Sequence, residues 1–377
     1  MRELKGVSHN IENPILGVIS TKPPRIFGSR NTIQMIAPDK PGKLRSRATA
    51  FIVGDGAECP KGSRAIVQVA KEQLSFIHAG DVVLLEPDGR IKFLYEIESP
   101  HNSLLLTHRC NCRCVMCPQG PCDDMPDLMK TNYAILDLIS PKTEHLGLTG
   151  GEPTLLEDEL VEFIRACRQK FPRMLLTLLT NGRKLRDLEF SKNIAKAGFP
   201  NLMIEIPLYA DNDREHDRVM GAAGSFYDTI AGLRNLALIR QPVGLRTVLH
   251  RLTIGRLTQY AEFVYRNLPF VSHVAFMGME THGLAAKNLD ELWVDPYDYQ
   301  EYLYTAVKHL VRRNVSVSIY NLQLCILPKE LWQFARRSIS TWKVSYLPFC
   351  DQCKMKTECC GLFATGIRHS SFLKKIN

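Results

Sequence analysis

Residues 107–120 read THRCNCRCVMCPQG, with four cysteines inside eight positions, and they follow directly on the apolar run SLLL at 103–106. An apolar run of that length followed by a polar, cysteine-rich turn reads as a strand and its loop. From there to residue 277 the pattern repeats. EHLGLTG, RMLLTLLTNG, LMIEIPLYA, VGLRTVL and HVAFMG are strand-like. Between them lie stretches of helical period, such as LEDELVEFIRACRQKF, whose Leu160, Phe163, Ile164 and Cys167 fall on one face. Strands alternating with helices make βαβ units and a parallel sheet, and six strand runs are enough to curl into a full or partial barrel. The cysteines then sit in the loop after the first strand, at the end of the sheet where such folds carry their chemistry.

The rest of the 377-residue chain bounds this reading. With 45% hydrophobic and 23% charged residues it can build a sizeable core. Twelve cysteines are therefore not needed as disulfide staples, and clustered cysteines in a chain with no apolar leader point to metal. No apolar stretch reaches membrane-spanning length, so the expected address is the cytoplasm, without a membrane partner. The net charge of +9 is spread without a run of one sign; it permits an acidic partner such as RNA, nucleotide or peptide and selects none. Residues 1–100 differ from the remainder: short β-like runs such as RATAFIVG and GDVVLLEPDGRIKFLYEI are broken by Gly and Pro, which fits a small β-rich domain. The expected division is 1–100 for that domain, 101–285 for the barrel, and 286–377 for a helical segment with a cysteine-rich extension. The basic tail IRHSSFLKKIN reads as disordered.

Cys110, Cys114 and Cys117 are spaced to curl three thiolates around one centre. Two completions compete: Cys112 or Cys122 supplies a fourth ligand to structural zinc, or the fourth position stays open for chemistry, as on an iron–sulfur cluster. Cys110-x-x-x-Cys114-x-x-Cys117 resembles the signature of the radical S-adenosylmethionine (radical SAM) enzymes. Gly150-Gly151-Glu152-Pro153, after the second strand, resembles their SAM-contacting motif. The resemblance implies a partial (β/α)6 barrel and a 4Fe-4S cluster held by Cys110, Cys114 and Cys117, its fourth iron chelated by SAM. It also implies an electron donor such as a flavodoxin or ferredoxin, and a 5′-deoxyadenosyl radical that abstracts hydrogen from substrate.

Beside that resemblance, the residues carry their own readings. A Gly-Gly turn lets backbone approach a ligand, with Gly151→Val expected to weaken SAM binding while the cluster still assembles; Pro153 fixes the exit of the chain, and Glu152 orients the turn. Asn181, in LLTNG, is a turn residue where related sequences line the SAM pocket. Glu205 interrupts an apolar strand and either faces the barrel mouth or forms a structural ion pair. His216 and Asp217 read as substrate contacts or as a helix start, and FMGMETHGLA at 276–285 as a border to adenine or an ordinary loop.

Cys325, Cys350, Cys353 and Cys359 form a second group, and Cys-x-x-Cys with further cysteines nearby marks a metal site, zinc or an auxiliary iron–sulfur cluster. This C-terminal stretch resembles the extension of radical SAM maturases of ribosomal peptides, most of all the His-Xaa-Ser system maturase of C type, over most of the chain after residue 95. Where the common pattern has Cys-Gly-Gly-Phe, this chain has Cys359-Cys360-Gly361-Leu362-Phe363, and Cys359 is preferred as the ligand. Three functions follow: a radical SAM enzyme on a peptide or protein, with the N-terminal domain presenting substrate by strand addition; one on RNA or a nucleotide; or a zinc-stabilised binding module.

Overall fold

The computed structural model describes residues 2–22, 31–37, 48–122, 125 and 127–377. They divide into two compact units, Met1–Leu104 with Leu128–Leu146, and Leu105–Asp127 with Gly147–Asn377.

The first unit carries β1 (Glu3–Lys5), β2 (Val7–His9), β3 (Ile15–Ser20), β4 (Thr32–Ile36), β5 (Ala50–Gly54), β6 (Ala65–Val69), β7 (Val82–Leu85) and β8 (Arg90–Tyr95), in the spatial order β1-β8-β7-β3-β4-β5-β6-β2. Alternate residues of β3 and β8 are buried, which supplies Ile15, Ile19, Ile91 and Phe93 to a core with Ile33, Ile52 and Ile66. The PDG turn lies between β7 and β8, where Gly89 takes φ +86° and Asp88 Oδ1 accepts the Arg90 N–H at 3.1 Å. Of the run RATAFIVG, Arg47 lies outside the described residues, and 50–54 form β5.

Strand addition to this sheet meets an obstacle. Its outermost strands β1 and β2 are consecutive in the chain, separated only by Gly6. The Gly6 N–H donates to Gly89 O at 3.0 Å, and a Cβ on Gly6 would stand 2.5 Å from Val67 O. One segment, residues 3–9, therefore meets β8 with one half and β6 with the other. An incoming peptide has no uninterrupted edge to pair with.

The second sheet runs β9 (Asn102–Leu105), β10 (His145–Thr149), β11 (Leu175–Leu179), β12 (Leu202–Pro207), β13 (Val243–Leu249), β14 (His273–Gly278), β15 (Ser316–Tyr320) and β16 (Ala335–Arg336), each beside its neighbour in sequence. The pairs from β11 to β16 are parallel, and the sheet curls into a half-barrel. Helices connect the strands; Asp158–Lys170 buries Leu160, Phe163, Ile164 and Cys167, the face that its period marks out. The six strand runs read from the sequence are β9 to β14. SVSIY and the two-residue β16 extend the sheet further. Because the strands run the same way, the loops after β9 to β14 gather at one end. Among the described residues no helix is long and apolar enough to cross a membrane.

Candidate active site

The cysteine loop after β9 is fixed from three sides. The Gly151 N–H donates to Thr107 O at 2.7 Å and the Glu152 N–H to Arg109 O at 2.8 Å. Asn181 Nδ2 donates to Asn111 Oδ1 at 2.7 Å, and Arg183 Nη1 to Asn111 O at 2.9 Å. Arg113 and Val115 donate their N–H groups to Met220 O and Val219 O, while Leu284 N–H and Asn288 Nδ2 reach Cys117 O and Val115 O. Such a frame holds the thiols in place before any cofactor binds.

The glycines of the GGEP turn belong to this frame. A Cβ on Gly151 would stand 2.2 Å from Arg109 O, and one on Gly150 2.5 Å from Thr107 O. The closeness they permit is first of all that of two backbones, with the ligand cavity on the other side. Gly151→Val is therefore expected to displace the cysteine loop and to lower iron content together with SAM binding, contrary to the expectation from sequence. Iron per chain after anaerobic reconstitution checks this; full iron with weakened SAM binding restores the simpler reading.

Glu152 and Pro153 lie behind the cavity wall. Fully buried, Glu152 accepts from Thr154 N–H and Oγ1 at 2.9 and 2.6 Å, from Thr180 Oγ1 at 2.6 Å and from the Asn181 N–H at 2.6 Å. Burial raises its pKa against these hydrogen bonds. Its carboxylate ties the loop after β10 to the loop after β11, so it orients and does not exchange protons with a substrate.

A cavity of about 370 Å³ opens inside this ring of loops, lined by Cys110, Cys112, Cys114 and Cys117, by Gly150, Gly151 and Asn181, and by Glu205, Tyr209 and Arg246 across from them. Met277 and Gly278 at the end of β14, and Met279 and Glu280 of the loop after it, line it as well. Glu205 faces this cavity, and its carboxylate has no hydrogen bond or ion pair among the described residues. Its room is made by Gly244, its register partner on β13, where a Cβ would stand 2.5 Å from Glu205 Oε1. Burial lifts the carboxyl to about 7, against the lowering by Arg246. An acid whose pKa is higher folded than unfolded costs stability as pH rises from the unfolded value to the folded one. Glu205→Gln is accordingly expected to gain roughly 1–3 kcal/mol on the wild type between pH 4.5 and pH 7, and to hold that gain above. Urea unfolding across that range checks it, and parallel curves refute it.

Two of the thiols are pushed toward the neutral form. Burial, then Cys117 and Cys110, push Cys114 up to about 12, and the hydrogen bond with Cys112 heads the causes that raise Cys110. Three thiols in one loop, beside glycine backbone and an uncommitted carboxylate, fit a cationic iron–sulfur centre with SAM next to it, since a metal makes thiolates of its ligands. Cys112 is buried, and its sulfur accepts from Asn181 Nδ2 at 3.3 Å. His216 is buried with Nδ1 accepting the Tyr209 N–H at 3.2 Å, and Asp217 accepts from Gly224, Ser225 and Phe226. Both shape the fold, and neither lines the cavity.

The second cysteine group is brought together. Cys325, Cys350, Cys353 and Cys359 line a separate cavity of about 30 Å³, while Cys360 is turned inward, its thiol on Gly361 O at 3.3 Å. A hydrogen bond with Cys360 lowers Cys359 to about 6, helped by the N–H groups of Gly361 and Leu324. Among the described residues no three candidate ligands already surround one point, here or in the first group.

The C-terminal tail corrects the sequence reading, because it is a strap with defined contacts. Ile367 N–H donates to Thr281 O, Ser370 Oγ to Asp295 at 2.6 Å, and Phe372 stacks on Tyr297 with centroids 4.2 Å apart. The Ile376 N–H then donates to Cys353 Sγ at 3.3 Å, and the Lys374 N–H bonds Cys325. Nothing in the charge pattern of IRHSSFLKKIN announces these contacts, since backbone groups and three hydroxyls or rings make them.

Residues 104–264 match the family model of the Radical SAM superfamily, a span that takes in the cysteine loop, the GGEP turn and β10 to β13. The match takes in 161 of the 377 residues, and over that span the chain is similar to the superfamily. Among solved structures the chain is similar to Streptococcus suis SuiB at 13% identity and a TM-score of 0.47, covering 66% of this chain and 54% of that one. It is also similar to native anSMEcpe with bound AdoMet and Cp18Cys peptide at 17% identity and a TM-score of 0.45, covering 57% and 62%. For TYW1 with a lysine-pyruvate adduct bound the values are 16% and 0.37, covering 58% and 74%. The chain thus spans less than two thirds of the length of the first two. No curated protein matches the sequence.

Proposed function

We propose that this chain is a radical SAM enzyme that modifies a ribosomally made peptide or protein, as a maturase of the His-Xaa-Ser system type. The observation that carries the reading is the way the cysteine-rich extension is built onto the mouth of the main cavity. Glu280, which lines that cavity, receives Lys343 Nζ at 3.0 and 3.1 Å and Thr365 Oγ1 at 2.5 Å, and Phe363 of the extension lines the cavity itself. A space of about 370 Å³ shared by SAM and a reacting group suits one side chain of a larger substrate. The sequence likeness to the His-Xaa-Ser maturases, which runs through the same extension, supports the finer assignment.

In this reading Cys110, Cys114 and Cys117 hold a 4Fe-4S cluster, and Cys325, Cys350, Cys353 and Cys359 hold an auxiliary cluster or zinc. The bound cluster and SAM supply an electron and the hydrogen-abstracting radical. The chain's part would be placement: Gly150, Gly151, Asn181 and Glu205 line the cavity that would hold SAM, and Met277, Met279 and Phe363 would keep water from it.

Anaerobic incubation with SAM, a reductant and proteins encoded nearby tests the proposal. A protein that gains a mass change while 5′-deoxyadenosine accumulates is the expected result. Modification of RNA instead, with salt-dependent filter binding, would overturn the substrate class. Purified protein that carries zinc and no iron or sulfide would leave a binding module.

A further inference from the structure

A second cavity of about 180 Å³ adjoins the main one and shares Gly278, Met279, Asn321 and Phe363 with it. Its walls come from the half-barrel and from the C-terminal strap, and most of them are apolar: Leu249, Val294, Tyr299, Leu322 and Leu362. Among the described residues no Asp or Glu lines it. Most of the polar side chains in its wall are engaged with protein groups, His369 through Nδ1 to Ser370 O at 3.1 Å. Thr281 Oγ1 donates to Arg368 O and accepts the Arg368 N–H, at 3.2 and 3.0 Å. Asn321 Nδ2 donates to Gly278 O, Gln323 Nε2 to Gly361 O at 2.7 Å, and Ser370 Oγ to Asp295 at 2.6 Å.

One group stands apart. The Arg368 guanidinium lies 5.1 Å from the centroid of the Trp293 ring and has no carboxylate partner among the described residues. Stacking on an aromatic face orients a guanidinium and leaves its in-plane donors free, which is the arrangement that takes a carboxylate. The strap that carries Arg368 is fixed at Thr281 and Asp295, so the donor is placed before a ligand arrives.

We propose that this second cavity is a recognition subsite for an apolar side chain of the substrate, with a carboxylate next to that side chain taken by Arg368. The inference rests on the peptide-maturase reading and deepens it: the residue that reacts sits in the main cavity, and a neighbouring apolar residue is held across the wall of Gly278, Met279 and Phe363. The carboxylate belongs either to the end of a chain or to an acidic residue beside the apolar one. Both present the same chemistry to Arg368. A phosphate is a poorer match, because a single guanidinium above apolar walls leaves most of its oxygens without donors.

Trp293 reports on occupancy, being one of three tryptophans in the chain. Anaerobically purified full-length protein, without reductant so that nothing reacts, is titrated with N-acetyl-L-phenylalanine, its neutral amide, N-acetyl-aspartyl-phenylalanine amide and adenosine monophosphate. The expected result is a saturable fluorescence change with a carboxylate-bearing probe, absent from Trp293→Phe, and binding of the neutral amide about tenfold weaker. The tighter of the two carboxylate probes then assigns the source. Arg368→Gln is expected to bring acid and amide to the same affinity, and Val294→Phe, which fills the cavity, to remove both. Equal binding of acid and amide by the wild type, or no saturable change with any probe, overturns the subsite and leaves the peptide reading to its own assay. Preference for adenosine monophosphate overturns both.

Discussion

Alanine in place of Cys110, Cys114 or Cys117 is expected to reduce cleavage of SAM to background, with the C-terminal metal still in place. Each of these thiols lines the main cavity, and the loop that carries them is tied to the turns after β10 and β11 and to the segments around Met220 and Leu284. The frame is made by backbone groups and by the side chains of Asn111, Asn181, Arg183 and Asn288, so loss of one sulfur removes a ligand without releasing the loop. Cys112 is the control within the same loop. Its sulfur accepts from Asn181 Nδ2, which also bonds Asn111, so Cys112→Ala leaves that donor satisfied and is expected to lower cleavage by no more than about fivefold. Formation of 5′-deoxyadenosine, followed by chromatography under reducing anaerobic conditions, separates the two cases. Normal formation by Cys114→Ala, or none by Cys112→Ala, would show that the ligand set has been misassigned.

The half-barrel was legible because its signal is local. Apolar runs of four to six residues and helices of period 3.6 repeat from 103 to 277, and each strand pairs with its sequence neighbour, so no long-range information was needed. The N-terminal sheet was legible only as strands. Its closure through Gly6 joins residues 56 to 60 positions apart, and a glycine between two short polar strands reads like any turn. Glu152 was recognised as an orienting residue, yet its partners Thr180 and Asn181 lie 28 and 29 positions on, in a different loop. The same limit hid Gly244, whose missing side chain makes the space for Glu205 from the neighbouring strand. The strap escaped for another reason: composition reports charge, and its order comes from backbone hydrogen bonds to Thr281, Cys325 and Cys353.

The second large effect concerns those distal thiols. Cys350→Ala and Cys353→Ala are each expected to lose about half the iron, as an order of magnitude if two sites hold one cluster apiece, while SAM is still cleaved and turnover of the true substrate is lost. The segment between residues 325 and 350 closes a loop whose ends meet at the 30 Å³ cavity, and a metal bound there would contribute directly to the folding of the extension. Loss of a ligand should therefore also loosen the strap, since the Ile376 N–H loses its acceptor when Cys353 goes, and limited proteolysis should then cut within residues 367–377. The strap can be tested in the opposite direction. A chain ending at Ser371 keeps all four thiols and the contacts of Arg368 and Ser370, and loses the two N–H donors with the wall made by Leu373, Lys374 and Ile376. Its C-terminal metal should load and then be stripped by chelator about tenfold faster than from the full chain, the scale on which partners of metal ligands act. Alkylation of Cys325 and Cys353 in metal-free protein should rise in parallel, a readout that needs neither SAM nor substrate. If the metal there is zinc, or Cys350→Ala keeps all its iron, the auxiliary cluster is excluded; if the shortened chain keeps its metal and its thiols stay shielded, the strap only rests against a site that the four cysteines hold by themselves.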